Sequence, residues 1–323
     1  MARGSRTLFL LGGTGFIGSE VVSQAGSQGW GVRALARSAE SERRLTSAGA
    51  EPIRAEAEDG RRWADAARGA DALIDLVQPR FPRRLSNRAV GRIADQRLAV
   101  TRGVLEALGS LPATERPLLF FASGVDDLLP DPSGAVSEHS APRAEPSGLS
   151  RIGVSVRRLI ESSGQDATYV YFGAMVYGAG KVFADVYVEG MKKRRAPVIG
   201  SGDNRLPLTH VTDAARALLH LAGQPREQVV GRTFVAADGD EPTQRELLDF
   251  TAERMGAKRP RSIPAGLASV AAGRAAVEAM TLDMHADPSA LLETGFEFLY
   301  PSYRDGVPEV LGRLGAGAPR AEA

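Results

Sequence analysis

Residues 8–18 read LFLLGGTGFIG, and this stretch decides the fold. The apolar run predicts a buried strand, and the glycines that follow predict a tight turn into a helix. Gly12 permits the turn, Gly15 lets the backbone approach a pyrophosphate, and Gly18 lets the helix pack closely with its first N–H groups facing the anion. A glycine-rich turn without a ligand is the alternative. The predicted cofactor contacts in this loop are Gly12, Thr14, Gly15, Phe16, Ile17 and Gly18.

The end of the second predicted strand, 31–36, indicates which dinucleotide binds. An acidic residue there would hold a ribose 2′-hydroxyl, whereas a basic residue would accept a 2′-phosphate. No carboxylate occurs between the start of this strand and Glu40, and the strand is followed by Arg37 and Ser38. A guanidinium fork and a hydroxyl suit a phosphate. We therefore expect NADP(H) rather than NAD(H), with a solvated Arg37 as the alternative.

Composition excludes several other kinds of protein. The 323 residues contain no cysteine, which rules out thiolate catalysis, disulfides and thiolate metal sites, and the four histidines lack metal-ligand spacing. A net charge of +1 gives no reason to expect nucleic acid or an acidic membrane as a partner. The early apolar run is explained as the first strand, and no run reaches the length of a membrane span. We expect a cytoplasmic protein without a metal.

Strands and helices alternate as a doubly wound parallel α/β sheet of the Rossmann type requires. The expected strands are 7–11, 31–36, 51–54, 72–77, 117–122 and 167–172. We predict a dinucleotide-binding domain over 1–175, a small C-terminal substrate-binding lobe interleaved with late Rossmann elements over 176–315, and a flexible tail over 316–323. The proline-rich segment 126–148 is interpreted as an active-site cover, and 265–279 as one lobe helix.

Several of these stretches together resemble the extended and atypical short-chain dehydrogenase/reductase superfamily, in its epimerase/dehydratase-like branch. The resemblance spans about residues 6 to 312 and rests on GGTGFIG, VRALAR, GADALIDL, TRGVLEAL, MVYGAG and LPLTHVTDAARALLHL. It implies a nicotinamide dinucleotide and chemistry by a serine, a tyrosine and a lysine. It also implies a homodimer formed by helices near 88–108 and 150–163.

The catalytic residues depart from that family pattern. Ser123 follows the predicted strand 117–122 and matches the family serine, although it could simply cap the loop. Leu149 and Gly153 stand where the tyrosine and lysine should be, and shifting the alignment by one residue brings Gly148 and Ile152 there instead. Arg97 occupies the approximate place of the family's helix asparagine. The Tyr-x-x-x-Lys pair is thus absent in either register.

Another proton donor must then replace the tyrosine if the reaction is a hydride transfer. Tyr177 and Lys181 have the pair's spacing, but the glycines between them cannot sustain the helical turn that would align the side chains. The candidates on the cover segment are Asp126, Glu138 and His139, and His139 suits neutral pH best. A solvated loop histidine is the alternative. Tyr177 and Arg205 are the expected substrate contacts.

These observations predict an NADP(H)-binding enzyme that oxidises or reduces a small organic substrate with a non-standard proton donor, and Ser123, Asp126 and His139 as its catalytic residues. Two alternatives remain open. One is a non-redox isomerase, cyclase or lyase on the same fold, and the other is a cofactor-sensing binding protein.

Overall fold

A computed structural model describes residues 6–317, which contain a seven-stranded sheet in which every pairing is parallel. Its strands are β1 (Arg6–Leu11), β2 (Trp30–Ala36), β3 (Glu51–Arg54), β4 (Ala72–Asp75), β5 (Leu118–Gly124), β6 (Ala167–Phe172) and β7 (Thr233–Ala236). Their spatial order is β7-β6-β5-β4-β1-β2-β3. The Rossmann-type doubly wound fold is therefore confirmed.

The order of the strands places the ligand-binding edge. The chain runs from β1 outward to β3 and then returns to build the other half from β4, so the direction of winding reverses between β1 and β4. Ligands bind at such a switch point, outside the carboxyl ends of the strands. The loops that follow β1, β4 and β5 meet at this edge.

Helices cover both faces of the sheet and build the lobe. The longer ones are α1 (Phe16–Ala25), α2 (Ala39–Ser47), α3 (Gly60–Ala67), α4 (Asn87–Ser110), α5 (Ser150–Ser163), α6 (Val211–Ala222), α7 (Gln244–Arg254), α8 (Ala265–Ala272), α9 (Arg274–Met280) and α10 (Tyr303–Arg313). Shorter helical segments are Gly26–Gln28, Ala113–Glu115, Val125–Asp127, Val182–Val188, Glu189–Lys192, Arg226–Val229 and Ser289–Leu292. None of the described helices is long and apolar enough to cross a membrane.

The side chains of β1 point alternately to the two faces of the sheet and so contribute to the hydrophobic core on each face. Leu8 and Leu10 point to the face covered by α1 and α6, whereas Phe9 and Leu11 point to the face covered by α3, α4 and α5. All four side chains are fully buried. The Phe9 ring stacks on Trp63 of α3, with ring centroids 5.3 Å apart. This continuous apolar run is what a parallel strand buried on both faces requires.

The lobe has its own core, formed by α7, α10 and residues after β6 that lie mainly in the helical stretch 182–192. Three short parallel pairs lie within the lobe or link it to the cover segment. They are Met175–Tyr177 with Leu208–His210, Pro197–Ile199 with Arg261–Ile263, and Ala135–Val136 with His285–Ala286.

The structure corrects three local predictions. The expected helix 265–279 is two helices, because Gly273 has φ +93° and lies against the Leu85 backbone, where a side chain would collide. The seventh strand was not predicted. Ala316, assigned to the flexible tail, is buried and donates its N–H to Leu311; residues 318–323 of the predicted tail lie outside the described part.

Candidate functional site

The glycine loop after β1 has the shape of a pyrophosphate cradle. Gly12 has φ +82°, and a Cβ there would lie 2.7 Å from the Leu76 carbonyl oxygen. A Cβ on Gly18 would lie 2.2 Å from the Gly12 carbonyl oxygen, so α1 packs on the loop only through glycine. Gly15 is exposed and precedes α1, whose first turn carries no acidic residue and no side-chain cap. The first N–H groups of α1 thus remain available to an anion.

Basic side chains flank this cradle beyond β2. Arg37 is exposed and has no hydrogen-bond or ionic partner among residues 6–317. Ser38 caps α2 by accepting from the Ser41 backbone N–H at 3.1 Å, so its hydroxyl is already engaged. Arg44, which sequence reasoning missed, reaches back from α2 to the Thr14 carbonyl oxygen at 3.2 Å. The glycines and these two arginines fit the phosphates of a dinucleotide.

Ser123 lies at the end of β5, and its hydroxyl donates to Asp127 Oδ2 at 2.6 Å. The short helical segment Val125–Asp127 turns the chain back after the strand and so brings these two side chains together. Asp127 is almost fully buried. Burial and the neighbouring Asp126 carboxylate raise the pKa of Asp127 well above its usual range, against the opposing effects of Ser123, Arg143 and Arg157. Burial and Asp126 therefore favour the protonated form of the Asp127 carboxyl group.

Gly153 of α5 provides the space that Asp127 fills. A Cβ on Gly153 would lie 1.8 Å from Asp127 Oδ2 and 2.3 Å from Ser123 Oγ. No side chain fits there while Asp127 keeps this position. The position that the sequence alignment gave to the family lysine is thus taken by a carboxyl group from another element.

Of the three donors proposed from the sequence, Asp126 and His139 were assigned as catalytic residues, and within residues 6–317 neither side chain makes a hydrogen bond to Ser123. Asp126 is adjacent to Asp127, but its carboxyl group lies against Gly124. Burial raises the pKa of Asp126, whereas a hydrogen bond to its own backbone and the charge of Arg143 oppose this rise. His139 has an imidazole that is 88% exposed and lies 3.4 Å from Glu138. Hydrogen bonds from Leu129 to Ala141 and from Arg143 to Asp127 hold the two sides of the cover segment together. Asp127 contacts Ser123, and neither predicted donor does.

Comparison with known proteins places this site in a family. The NAD dependent epimerase/dehydratase family model matches residues 8–237, which run from the glycine loop to beyond β7. The chain belongs to this family. An uncharacterized protein of Schizosaccharomyces pombe is 29% identical over 212 residues, which cover 64% of this chain and 68% of that protein. Family membership confirms the predicted superfamily and supports the prediction of an enzyme.

Solved structures of epimerases and dehydratases share the fold. The human epimerase family protein SDR39U1, crystallised with NADPH, superposes with a TM-score of 0.75 at 18% identity, covering 95% of this chain and 99% of that one. A nucleoside-diphosphate-sugar epimerase of Pseudomonas aeruginosa gives a TM-score of 0.76 at 16% identity over 98% and 100%. A dTDP-glucose 4,6-dehydratase of Streptomyces venezuelae, crystallised with NAD, gives 0.73 at 20% over 95% and 96%. The prediction of a nicotinamide dinucleotide agrees with these neighbours.

Within the epimerase/dehydratase fold of this chain, Tyr177 and Lys181 do not share a helix. Tyr177 ends a strand, Lys181 is exposed, and the turn between them has a hydrogen bond from Gly180 to Gly178. The Tyr177 ring is fully buried in the lobe core, edge-on to His210. A buried ring cannot touch substrate unless the lobe rearranges, so this placement contradicts the expected substrate contact. The glycines have a packing role, since the Phe16 ring of α1 lies against Gly178 and Gly180.

Arg97 stands at the approximate position of the family's helix asparagine. Its side chain is buried and forms an ion pair with Asp75 Oδ2 at 2.8 Å. Asp75 ends β4 and accepts from the Val77 N–H through its other oxygen at 3.1 Å. The pair thereby fixes the turn after β4, against which Gly12 packs. The Arg97–Asp75 ion pair therefore stabilises the turn that contacts Gly12 of the cofactor cradle.

The remaining predicted substrate contact, Arg205, is exposed at the edge of the lobe. Its backbone N–H donates to Asp283 Oδ1 at 2.7 Å, and its guanidinium contacts the imidazole of His285. This side chain is accessible to a ligand, unlike Tyr177.

Proposed function

We propose that the protein is an NADP(H)-dependent oxidoreductase that interconverts a carbonyl and a hydroxyl group on a small organic molecule. One observation carries the proposal: the buried acid Asp127 is hydrogen-bonded to Ser123 in the space beside Gly153. A serine at the carboxyl edge of the sheet, backed by a carboxyl group that holds its proton, suits a developing alkoxide.

The proposal that NADP(H) is the cofactor is based on the glycine loop and the arginines beside it. The glycine loop and the N-terminus of α1 would hold the pyrophosphate, and Arg37 and Arg44 would face the 2′-phosphate. The human neighbour crystallised with NADPH supports this choice. When bound, the nicotinamide supplies or accepts the hydride.

Residues of the protein supply or accept the proton that accompanies hydride transfer. In the direction of reduction, the Ser123 hydroxyl turns from Asp127 Oδ2 to the substrate carbonyl oxygen, so that the protonated Asp127 carboxyl group donates to Ser123 Oγ instead of accepting from it. Ser123 then transfers its proton to the carbonyl oxygen as charge develops there. The carboxylic proton of Asp127 passes to Ser123 Oγ across the existing 2.6 Å contact. Asp127 ends as a carboxylate that Arg143 and Arg157 stabilise, and it is reprotonated from solvent before the next cycle. In oxidation the same proton moves in reverse.

Cofactor preference is tested by fluorescence titration of NADPH and NADH. We expect NADPH to bind more tightly, and Arg37→Ser to weaken NADPH by about tenfold or more while leaving NADH unchanged, because only NADPH has the 2′-phosphate. Arg43→Ser, on the exposed side of α2, is the matched control. Equal affinities in the parent protein would contradict the NADP(H) assignment.

Redox activity is tested by following the near-ultraviolet absorbance of NADPH during a screen of aldehydes and ketones. With a substrate in hand, Asp127→Asn should lower kcat by about 10²- to 10⁴-fold, because asparagine keeps the hydrogen bond to Ser123 but has no proton to give. His139→Gln should leave turnover unchanged, since that imidazole is exposed on the cover segment. Full activity in Asp127→Asn would refute the proton relay. If NADPH binds but no carbonyl compound is reduced, the non-redox alternative is favoured.

A further inference from the structure

Helix α8 presents apolar side chains to solvent. Leu267 is 61% exposed and Val270 is 69% exposed, and they are the two most exposed large apolar side chains in the described part of the chain. The helix contains no charged residue, and only its Ala268 is buried, in a small core cluster with Val277 of α9. Contiguous apolar surface that stays exposed on a folded protein commonly marks an interaction site. One side of α8 thus anchors the helix, and its other side faces solvent.

Exposed cations lie beside the start of α8. The strand Arg261–Ile263, which leads into the helix through Pro264, pairs with Pro197–Ile199, so the chain segments before these two strands are neighbours. Both segments are basic, and Arg194 and Lys258 line the same cavity. The exposed cations are Lys193, Arg194, Arg195, Lys258, Arg259 and Arg261.

Carboxylates offset this group of cations only in part. Within residues 6–317, Glu189 forms ion pairs with two lysines that follow it, and Asp249 lies within 4.0 Å of Arg259. Glu253 of α7 is exposed. The cations that have no ion pair in this part of the chain are Arg194, Arg195, Lys258 and Arg261. The surface beside the start of α8 is therefore positively charged.

The segment after β4 brings more cations to the other end of α8. The Leu85 backbone N–H donates to the Ala272 carbonyl oxygen at 2.8 Å, which joins this segment to the last residue of the helix. Phe81 on the same segment is 40% exposed. No acidic residue occurs at positions 76–94. The exposed cations here are Arg80, Arg83 and Arg84. An apolar helix therefore lies between two groups of cations.

An anionic membrane surface fits this arrangement. Anionic lipid headgroups attract cations that lie within a Debye length of the surface, while exposed apolar side chains enter the boundary between headgroups and acyl chains. Long arginine side chains keep their charge among the headgroups while their stems lie along apolar groups. A nucleic acid would use the cations but leave Leu267 and Val270 in water. The net charge of +1 does not reveal this face, because the balancing carboxylates lie elsewhere on the chain.

We propose that α8, the segment 80–85 and the two groups of cations form a docking face that binds the surface of a membrane containing anionic lipids. Leu267, Val270 and Phe81 enter the lipid, and the cations contact the headgroups. The protein lies on the membrane and does not cross it. The segment 80–85 follows β4, so docking brings the ligand-binding edge close to the lipid. The docking face contains no residue of the cofactor cradle or of the Ser123–Asp127 pair, so this inference does not depend on the proposed function.

Sedimentation with lipid vesicles tests the docking face in the full-length protein. One set of vesicles is phosphatidylcholine alone, and the other is equal parts phosphatidylcholine and phosphatidylglycerol. We expect binding to the mixed vesicles to be tighter by about tenfold or more, and this difference to shrink as salt is added, because salt screens the headgroup charge. Equal binding to both vesicles, or no binding to the mixed ones, would overturn the proposal.

Insertion into the lipid is measured separately. The chain contains no cysteine, so a single introduced cysteine can be labelled alone. Val270→Cys carries a dye whose emission shifts to shorter wavelength when it leaves water. We expect that shift with mixed vesicles, and no shift for Leu299→Cys, whose leucine is 54% exposed but whose backbone donates to Asp213 of α6. A shift that appears without lipid and grows with protein concentration would make the face an interface between two copies of the chain, and so refute membrane docking.

Variants separate the apolar and the charged contributions. Leu267→Gln combined with Val270→Gln should weaken binding to mixed vesicles by about tenfold or more, because the inserted apolar area is lost. Arg80→Gln combined with Arg83→Gln should also weaken it by about tenfold or more. Arg43→Gln, an exposed arginine of α2, should leave binding unchanged. Binding that depends on the arginines but not on the two apolar residues would be electrostatic attraction alone, and the docking face would be wrong.

Discussion

The contact between Gly153 and Asp127 gives the sharpest prediction, because the structure sets its magnitude. In Gly153→Ala the new Cβ would stand 1.8 Å from Asp127 Oδ2 and 2.3 Å from Ser123 Oγ. Both distances are far inside van der Waals contact, so Asp127 must move. Such overpacking costs about 1–3 kcal/mol. Replacing a helical glycine by alanine gains about 0.5–1 kcal/mol, so we expect a net loss of up to about 2.5 kcal/mol.

A matched control lies in the neighbouring helix. Gly91 is inside α4, and a Cβ there meets nothing within 4 Å. Gly91→Ala should therefore stabilise the protein by about 0.5–1 kcal/mol from helix propensity alone. Urea unfolding of both variants with a common m value measures the two free energies of unfolding.

A double variant shows whether Asp127 is the cause. Asp127→Ala removes the atoms that collide, so Gly153→Ala should become neutral or stabilising when Asp127 is already alanine, and the two effects should not add. Turnover of Gly153→Ala should fall as in Asp127→Asn, with NADPH affinity unchanged. If Gly153→Ala is as stable as Gly91→Ala, the carboxyl group of Asp127 does not fill this space and the reasoning fails.

Three further predictions concern other parts of the molecule. Burial raises the pKa of Asp238 to about 9, so the folded protein holds a proton that the unfolded chain releases near pH 4. The free energy of unfolding should therefore fall as the pH rises between these values, by on the order of 4 kcal/mol at pH 7. Asp238→Asn should match the parent near pH 4 and be the more stable protein at pH 8 in urea unfolding; the same pH dependence in both would contradict this. Arg97→Met should cost about 3–5 kcal/mol, because it leaves Asp75 buried without its partner, and a thermal midpoint equal to that of the parent would argue against the ion pair. The homodimer through α4 and α5 remains a prediction: the exposed surface of α4 includes Arg88, Arg92 and Arg102, and a monomer by light scattering at micromolar concentration would exclude it.

Local signals made much of the fold predictable. The apolar run of β1, the glycines after it and the end of β2 carry their information within a few residues, and the six expected strands lie close to the observed ones. The strand β7 has four residues, as do the predicted strands β3 and β4, so its length is not the reason it was missed. It lies in the second half of the chain, where strand and helix patterns alternate less regularly. The break at Gly273 depends on the approach of Leu85, which is far away in sequence.

The candidate site was less predictable because its contacts are not local. Asp126 and Asp127 are adjacent, and only the turn after β5 decides which carboxyl group faces Ser123. A signal was nevertheless present: a glycine at position 153 inside an otherwise ordinary helix indicates a close approach by another group. Arg205 and His285 are 80 residues apart and no spacing rule connects them, so only the folded chain shows their contact.

The fit between Gly153 and Asp127 also constrains how this sequence can change. A lysine introduced at position 153 alone would collide with Asp127, and loss of Asp127 alone would leave Ser123 without an acid behind it. In the proposed proton relay, either of these changes alone lowers turnover. The two proton-transfer arrangements are therefore separated by an evolutionary barrier that single substitutions cross only at a loss. A directed-evolution library would need to vary positions 127, 149 and 153 together to convert one into the other.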